Sequence, residues 1–264
     1  MANENTFDLA DINIEQPTIA RITLADLSHA LALGYEDFKE WPTHLVIMAI
    51  IYPIVGLLLA RLTFGYDVLP LLFPISAGFA LIAPAAALGL YELSRRRELG
   101  LDVSWACAFK VRQSPSIRSI ERLGLVLLVI FFVWLFAAQN IYTMVFGDRT
   151  PDSLSDFASQ IFTTNEGWRL IIIGSGVGFL FAVGVFSSIV VSFPLLLDRQ
   201  VSALTAVQTS IRVVLANPGP MAAWGLFIAV ALIIGSIPLF FGLAIVMPIL
   251  GHATWHLYRK VVVH

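Results

Sequence analysis

The sequence predicts an all-α membrane protein: a polytopic bundle of six transmembrane helices with amphipathic helices along one membrane surface. Three observations predict it. Of the 264 residues, 58% are hydrophobic and only 13% are charged, against about 25% charged in soluble domains. The apolar residues gather in long runs free of Asp, Glu, Lys and Arg. All but Arg61, Arg149 and Arg169 of the 16 Lys and Arg residues then fall on one side of the bundle, as the bias toward basic cytoplasmic loops requires. A soluble fold of this composition would leave large apolar patches in water, and a bilayer removes them.

A spanning helix needs about 20 largely apolar residues. His44–Ala60, extended by a snorkelling Arg61, Val68–Tyr91, Leu123–Gly147 and Leu170–Leu197 each supply one pass. The last uncharged run, Val213–Tyr258, holds 46 residues. As one helix it would extend about 69 Å, more than twice a hydrocarbon core. It must fold back, and "GSIP" (Gly235–Pro238) supplies the helix-breaking residues for the turn. The predicted spans are therefore about 44–63, 69–93, 122–147, 168–196, 219–236 and 238–258. Both termini are expected in the cytoplasm. Residues 1–22 read as a polar tail, expected to be disordered, and 23–264 as one membrane domain. The tail has no basic segment followed by an apolar one, so the first span is expected to act as the targeting signal.

Between the spans lie amphipathic stretches. Leu24, Leu27, Leu31, Tyr35 and Phe38 form a helical stripe behind "TLAD" (Thr23–Asp26), which resembles a capping box. Leu204, Val207, Ile211, Val214 and Leu215 form another after Ser202, and Trp105, Ala108 and Phe109 a shorter one after Ser104. Each leads through a proline turn ("WPTH", "SPS", "NPGP") into a span. The second span of each pair carries a proline near its inner end: Pro84, Pro194 and Pro248. The order surface helix, turn, span, span thus occurs three times, which reads as a threefold internal repeat of αα-hairpin units. In the outer loop, "SLSDFASQIF" (Ser153–Phe162) predicts a short helix lying on the opposite leaflet.

Chemistry is hard to find. Cys107 is the only cysteine, so an internal disulfide is excluded. Span centres lack ionisable residues, which weighs against an ion-coupled pump. Gln139 and Asn140 are the most polar residues within a span and are expected to bond a neighbouring helix. Gly174, Gly178, Gly184, Ser188 and Ser192 form a ridge of small residues suited to close helix packing. No Lys/Arg-dense segment with interleaved aromatics occurs, so nucleic-acid binding has no support. No nucleophile triad, carboxylate pair or phosphate loop appears in a sensible context, and no catalytic residue or cofactor is assigned. The metal or haem candidates are His252 and His256, one helical turn apart, with His44 expected at similar depth. The competing reading makes Trp255, Tyr258, His256, Arg259 and Lys260 an interfacial belt. Arg95, Arg96 and Arg97 are expected to contact anionic headgroups.

"FPLLLDR" (Phe193–Arg199), "NPGPM" (Asn217–Met221) and "LGHATWHLYR" (Leu250–Arg259) resemble a bacterial, mainly proteobacterial, family of multi-span integral membrane proteins carrying a domain-of-unknown-function label. "APAAALGLYELSRRRELGLDVSW" (Ala83–Trp105) and "DLSHALALGYEDFKEWP" (Asp26–Pro42) are similar to its middle segment and first surface helix. The resemblance implies an inner-membrane location and a multi-span fold, and it supplies no catalytic residue. The functional expectation is an accessory, assembly or envelope-organising factor that catalyses no reaction. A small-solute transporter or channel is the alternative, and a haem or metal subunit comes third. Expected partners are membrane lipids and other membrane proteins or further copies of the chain.

Overall fold

A computed structural model of the chain describes residues 17–40, 69–71, 74–75, 87–147, 151, 153–238 and 241–263. Span 44–63, most of span 69–93, His44 and Pro84 lie outside the described residues, as do residues 1–16. The described chain is helical except for one short strand pair, and three helices are long and apolar enough to cross a bilayer.

The first element is strand β1 (Thr18–Ile19), followed by α1 (Leu24–Glu40). The capping box forms as read. Asp26 Oδ2 accepts from the Thr23 backbone N–H at 2.8 Å, and the Asp26 N–H reaches Thr23 Oγ1 at 3.4 Å. Next come α2 (Leu88–Glu98), the one-turn α3 (Trp105–Ala108) and a 3₁₀ turn over Phe109–Gln113.

Helix α4 (Ile117–Phe146) is the first of the three helices long and apolar enough to cross. Its buried residues, Ile120, Leu123, Leu127, Trp134, Ala138 and Tyr142, follow helical spacing and form a single stripe. The rest of its apolar surface, from Leu125 to Met144, faces outward. An apolar outer face is what lipid requires of a spanning helix. Gly147 ends α4 at φ 68°, a left-handed position that suits glycine.

The predicted outer-loop helix is α5 (Leu154–Thr163), with Ser153 capping the Asp156 N–H at 3.1 Å. It turns directly into α6 (Asn165–Ile189), which continues past a break at Val190–Val191 into α7 (Ser192–Asp198). Residues Asn165–Asp198 are the second segment long and apolar enough to cross.

Helix α8 (Ala203–Ala216) follows its Ser202 cap. Helix α9 (Pro218–Ser236), the third helix long and apolar enough to cross, starts on the "NPGP" prolines. The chain then turns at "GSIP" as expected, and α10 (Leu243–Val261) runs back. Strand β2 (Val262–Val263) pairs antiparallel with β1, Thr18 opposite Val263.

Two helices bury a face only partly shared with their apolar stripes: Leu27, Leu31 and Phe38 of α1 and Val207 and Val214 of α8 meet the core, and the other stripe residues point outward. In α1 the buried residues are Leu27, Ala30, Gly34, Asp37 and Phe38, whereas Leu24 and Tyr35 are exposed. In α8 the protein-facing residues are Ala206, Thr209, Ser210 and Val213, and Leu204, Ile211 and Leu215 point away from the protein. Small side chains allow the closer approach to neighbouring helices, and in a membrane protein the bulky stripe has an apolar solvent of its own. One in-span amide differs from expectation: Asn140 donates to the Phe136 carbonyl of its own helix at 2.7 Å. Of the glycines in the small-residue ridge, Gly178 meets a neighbouring helix, against the Trp134 ring, while Gly174 and Gly184 have open space before them.

The end of the expected tail is tied down. Asn217 Oδ1 accepts from the buried Ile22 N–H at 2.8 Å, and its amide donates to the Ala20 carbonyl at 3.1 Å. The Ala20 N–H reaches the Val261 carbonyl at 2.8 Å. These bonds satisfy backbone groups that burial would otherwise leave without partners. Chain residues 17–22 therefore close onto the α8–α9 junction and the C-terminus.

Candidate functional site

The last half of α10 is wrapped by protein. Pro248, Leu250–Trp255, Leu257 and Tyr258 are buried there, against α1, α2 and α7. Helix α1 runs antiparallel to α10, with Asp26 beside Lys260, Gly34 beside Ala253, and Asp37 beside His252 and His256. Gly34 makes the crossing close: a Cβ there would sit 2.5 Å from the Ala253 backbone nitrogen.

At the centre is Asp37, a carboxylate 3% exposed on the inner face of α1. Its Oδ2 accepts from Ser94 Oγ of α2 at 2.5 Å and from His256 Nε2 of α10 at 2.8 Å. Its Oδ1 accepts from Arg97 Nη1, while Arg97 Nη2 reaches Glu40 at 2.6 Å. Ser94 Oγ also lies 2.7 Å from His252 Nδ1. The proton positions follow by elimination. A carboxylate only accepts, so Ser94 and His256 donate to Asp37; the one hydroxyl proton of Ser94 is then engaged, and His252 Nδ1 must donate to Ser94 Oγ.

Burial acts most strongly on the Asp37 carboxyl and pushes it up. Hydrogen bonds from His256 and Ser94, with the attraction of both histidines, outweigh that and hold it at about 2. With its oxygens accepting from Ser94, His256 and Arg97, Asp37 holds the Ser94 hydroxyl in a fixed orientation.

A depressed carboxyl makes stability depend on acid. The group favours the folded state above its unfolded value, about 3.9. That contribution falls as pH drops from about 4 through about 2. The protection of the α1 backbone amides, measured relative to the unprotected exchange rate at each pH, should accordingly be unchanged from pH 7 to about 5 and should fall below about 4. The Asp37→Asn variant should lose the Asp37 share of that acid limb and keep the share of Asp26, whose carboxyl the Thr23 and Lys260 contacts also depress.

A second network lies beside the first. Glu98 Oε2 accepts from the Trp255 indole N–H at 3.0 Å, and Glu98 Oε1 from Arg259 at 2.9 Å. Asp198, at the end of α7, accepts from the Tyr258 hydroxyl at 2.7 Å and from Arg259 at 3.3 Å. Arg95 pairs with Glu92 at 3.2 Å and approaches Asp198 at 3.8 Å. Arg96 donates to the Asp102 carbonyl at 2.8 Å and lies 3.6 Å from Glu92. Lys260 reaches Asp26 at 3.2 Å. The structure thus gives protein partners to Arg95, Arg96, Arg97, Trp255, Tyr258, Arg259 and Lys260, the residues expected at headgroups, and buries Trp255 and Tyr258.

The two histidines do share a face, and that face is turned to Asp37 and Ser94. Among the described residues, no group of three or more His, Cys, Asp or Glu side chains has the geometry to hold a metal ion. The sequence reading missed Asp37, Ser94, Glu98 and Asn217. The available signal was Asp37 itself, because Leu27, Ala30, Gly34 and Asp37 are spaced to share one helical face.

An open cleft of about 490 Å³ lies over this cluster. Ser94, Asp37 and His256 line it together with Arg97, Glu36 and His29.

Residues 71–198 match the sequence model of a family described as a predicted integral membrane protein, DUF2189. The resemblance to a membrane family of unknown function holds over that segment. It takes in α2 through α7, and so Ser94, Arg95, Arg96, Arg97, Glu98 and Asp198 of the two networks. Neither the curated proteins nor the solved structures contain a match.

Proposed function

We propose that this integral membrane protein works without catalysing a reaction, as an accessory, assembly or envelope-organising factor of a bacterial inner membrane. In this reading it has six spans, arranged as three hairpin repeats, with both termini in the cytoplasm. One observation carries the functional part. The polar side chains at the α1–α2–α10 junction are directed at one another and tie helices together, which makes a rigid head beside the membrane. Rigid elements present a binding surface at low entropic cost. The asymmetry of Lys and Arg supports the topology.

The test has two arms. A reporter fused to the C-terminus should be active in its cytoplasmic form and silent in its periplasmic form; the reverse contradicts the topology. Protein extracted in mild detergent should migrate with a stable partner of defined mass that is lost when Asp37→Ala unlocks the head. A lone protomer in every preparation contradicts the accessory role.

The cleft over Ser94, Asp37 and His256 favours a second reading, a small-solute transporter or channel. Uptake into vesicles that depends on the protein would support that reading and displace the first. The haem or metal reading comes third. An absorption band or stoichiometric metal in the purified protein would revive it.

A further inference from the structure

Among the described residues, a different set of cations has no ion-pair partner. Lys110 and Arg112, in the 3₁₀ turn, and Arg118 and Arg122, in the first turns of α4, are all exposed. Among the described residues none of the four has an ion-pair partner, although Glu121 is exposed on the same stretch. Phe109, beside them, is 67% exposed. Val111 is buried and fixes the turn to the protein. With about three residues per 3₁₀ turn, Phe109 and Arg112 share the outward side.

The position of this patch is set by α4. Its outward apolar surface runs from Leu125 to Met144, about 28 Å of helix, close to a hydrocarbon core of roughly 30 Å. Arg122 and Arg118 lie about one and two turns before Leu125, where long basic side chains reach the headgroups. Helix α8 belongs to the same end, because Ser116 at the start of α4 donates to the Arg199 carbonyl just ahead of α8 at 3.0 Å. The outward residues of α8, Leu204, Ile211 and Leu215, are apolar. Cations beside exposed apolar residues, continuous with a lipid-facing belt, are the chemistry of an anionic membrane surface.

We propose that this end of the bundle is a docking surface for anionic phospholipid, held by Lys110, Arg112, Arg118 and Arg122, with Phe109 and the outer stripe of α8 entering the leaflet. The assignment rests on the membrane reading and goes beyond it in naming the lipid class and the residues. It also separates these four cations from Arg95, Arg96 and Arg97, whose charges are engaged within the protein.

The experiment uses the full chain in vesicles of phosphatidylcholine containing either brominated phosphatidylglycerol or brominated phosphatidylcholine, with tryptophan quenching as the readout. The wild type should be quenched more by the anionic lipid, and the preference should fade in high salt. Each near-surface cation contributes roughly fivefold to such attraction. The variant K110Q/R112Q/R118Q/R122Q should therefore lose at least about tenfold of the preference while its helix content stays unchanged. If that variant does not fold, the four single substitutions carry the test, each lowering the preference. Equal quenching by both lipids in the wild type would overturn the proposal, as would a preference that survives the substitutions. Protein that washes off the vesicles in alkaline carbonate would overturn the membrane reading as well, so the two failures are distinguishable.

Discussion

Asp37→Ala should detach α1 from the rest of the protein and lower its stability by about 3–5 kcal/mol, the usual cost of removing one side of a buried ionic cluster. The size follows from what is left behind. Ser94, His256 and Arg97 all donate to this carboxylate, and alanine offers none of them an acceptor. Ser94 is 2% exposed, so water does not readily replace the lost partner. The damage extends to His252, whose bond to Ser94 depends on the orientation Asp37 imposes. Thermal unfolding in detergent measures the loss, and limited proteolysis should cut at the ends of α1 in the variant before any other site. Asp37→Asn should cost less, since its amide oxygen still accepts. An Asp37→Ala protein with the wild-type midpoint and an intact α1 would show that the carboxylate does not hold the helices together.

Gly34→Val should separate the same two helices by steric means. The added Cβ meets the Ala253 backbone nitrogen at 2.5 Å and its Cα at 2.8 Å. Backbone cannot swing aside as a flexible side chain does, so the whole of α1 must shift. Overpacking of this kind costs about 3 kcal/mol, the upper end of its usual range. The control is Gly184→Ala in α6. A Cβ there meets nothing within 4 Å, and alanine favours the helix by up to about 1 kcal/mol. The two midpoints should therefore move in opposite directions. If Gly34→Val unfolds with the wild type, the close crossing of α1 and α10 does not exist.

Much of the architecture was legible because it depends on local chemistry. Uncharged runs mark the crossing helices α4, α6 with α7, and α9. "TLAD", Ser153 and Ser202 mark helix starts, since a capping side chain bonds a backbone N–H two or three residues ahead. "GSIP" marks the last turn for the same local reason. What stayed hidden depends on contacts between distant residues. The partners of Asp37 are Ser94, 57 residues away, and His256, 219 away, and no periodicity encodes such a pairing. Periodicity located the bulky stripes of α1 and α8 but not the small residues, Gly34 and Ala206 among them, that let these helices approach their neighbours. The arginines of "LSRRRELG" look like headgroup contacts when read alone. Their engagement became visible only with Glu92, Asp37, Glu40 and Asp198 beside them.

The docking of α1 on α10, locked by Asp37, can be measured directly in the unmodified protein. Lys260 Nζ lies 3.2 Å from Asp26 Oδ1, within reach of a zero-length carbodiimide coupling. Treating membranes that contain the full chain and mapping the cross-linked peptides by mass should give an Asp26–Lys260 amide bond. That bond should disappear in Asp37→Ala. Coupling of Lys260 to other carboxylates in place of Asp26, or an Asp26–Lys260 bond formed equally well without Asp37, would show that Asp37 does not lock α1 onto α10.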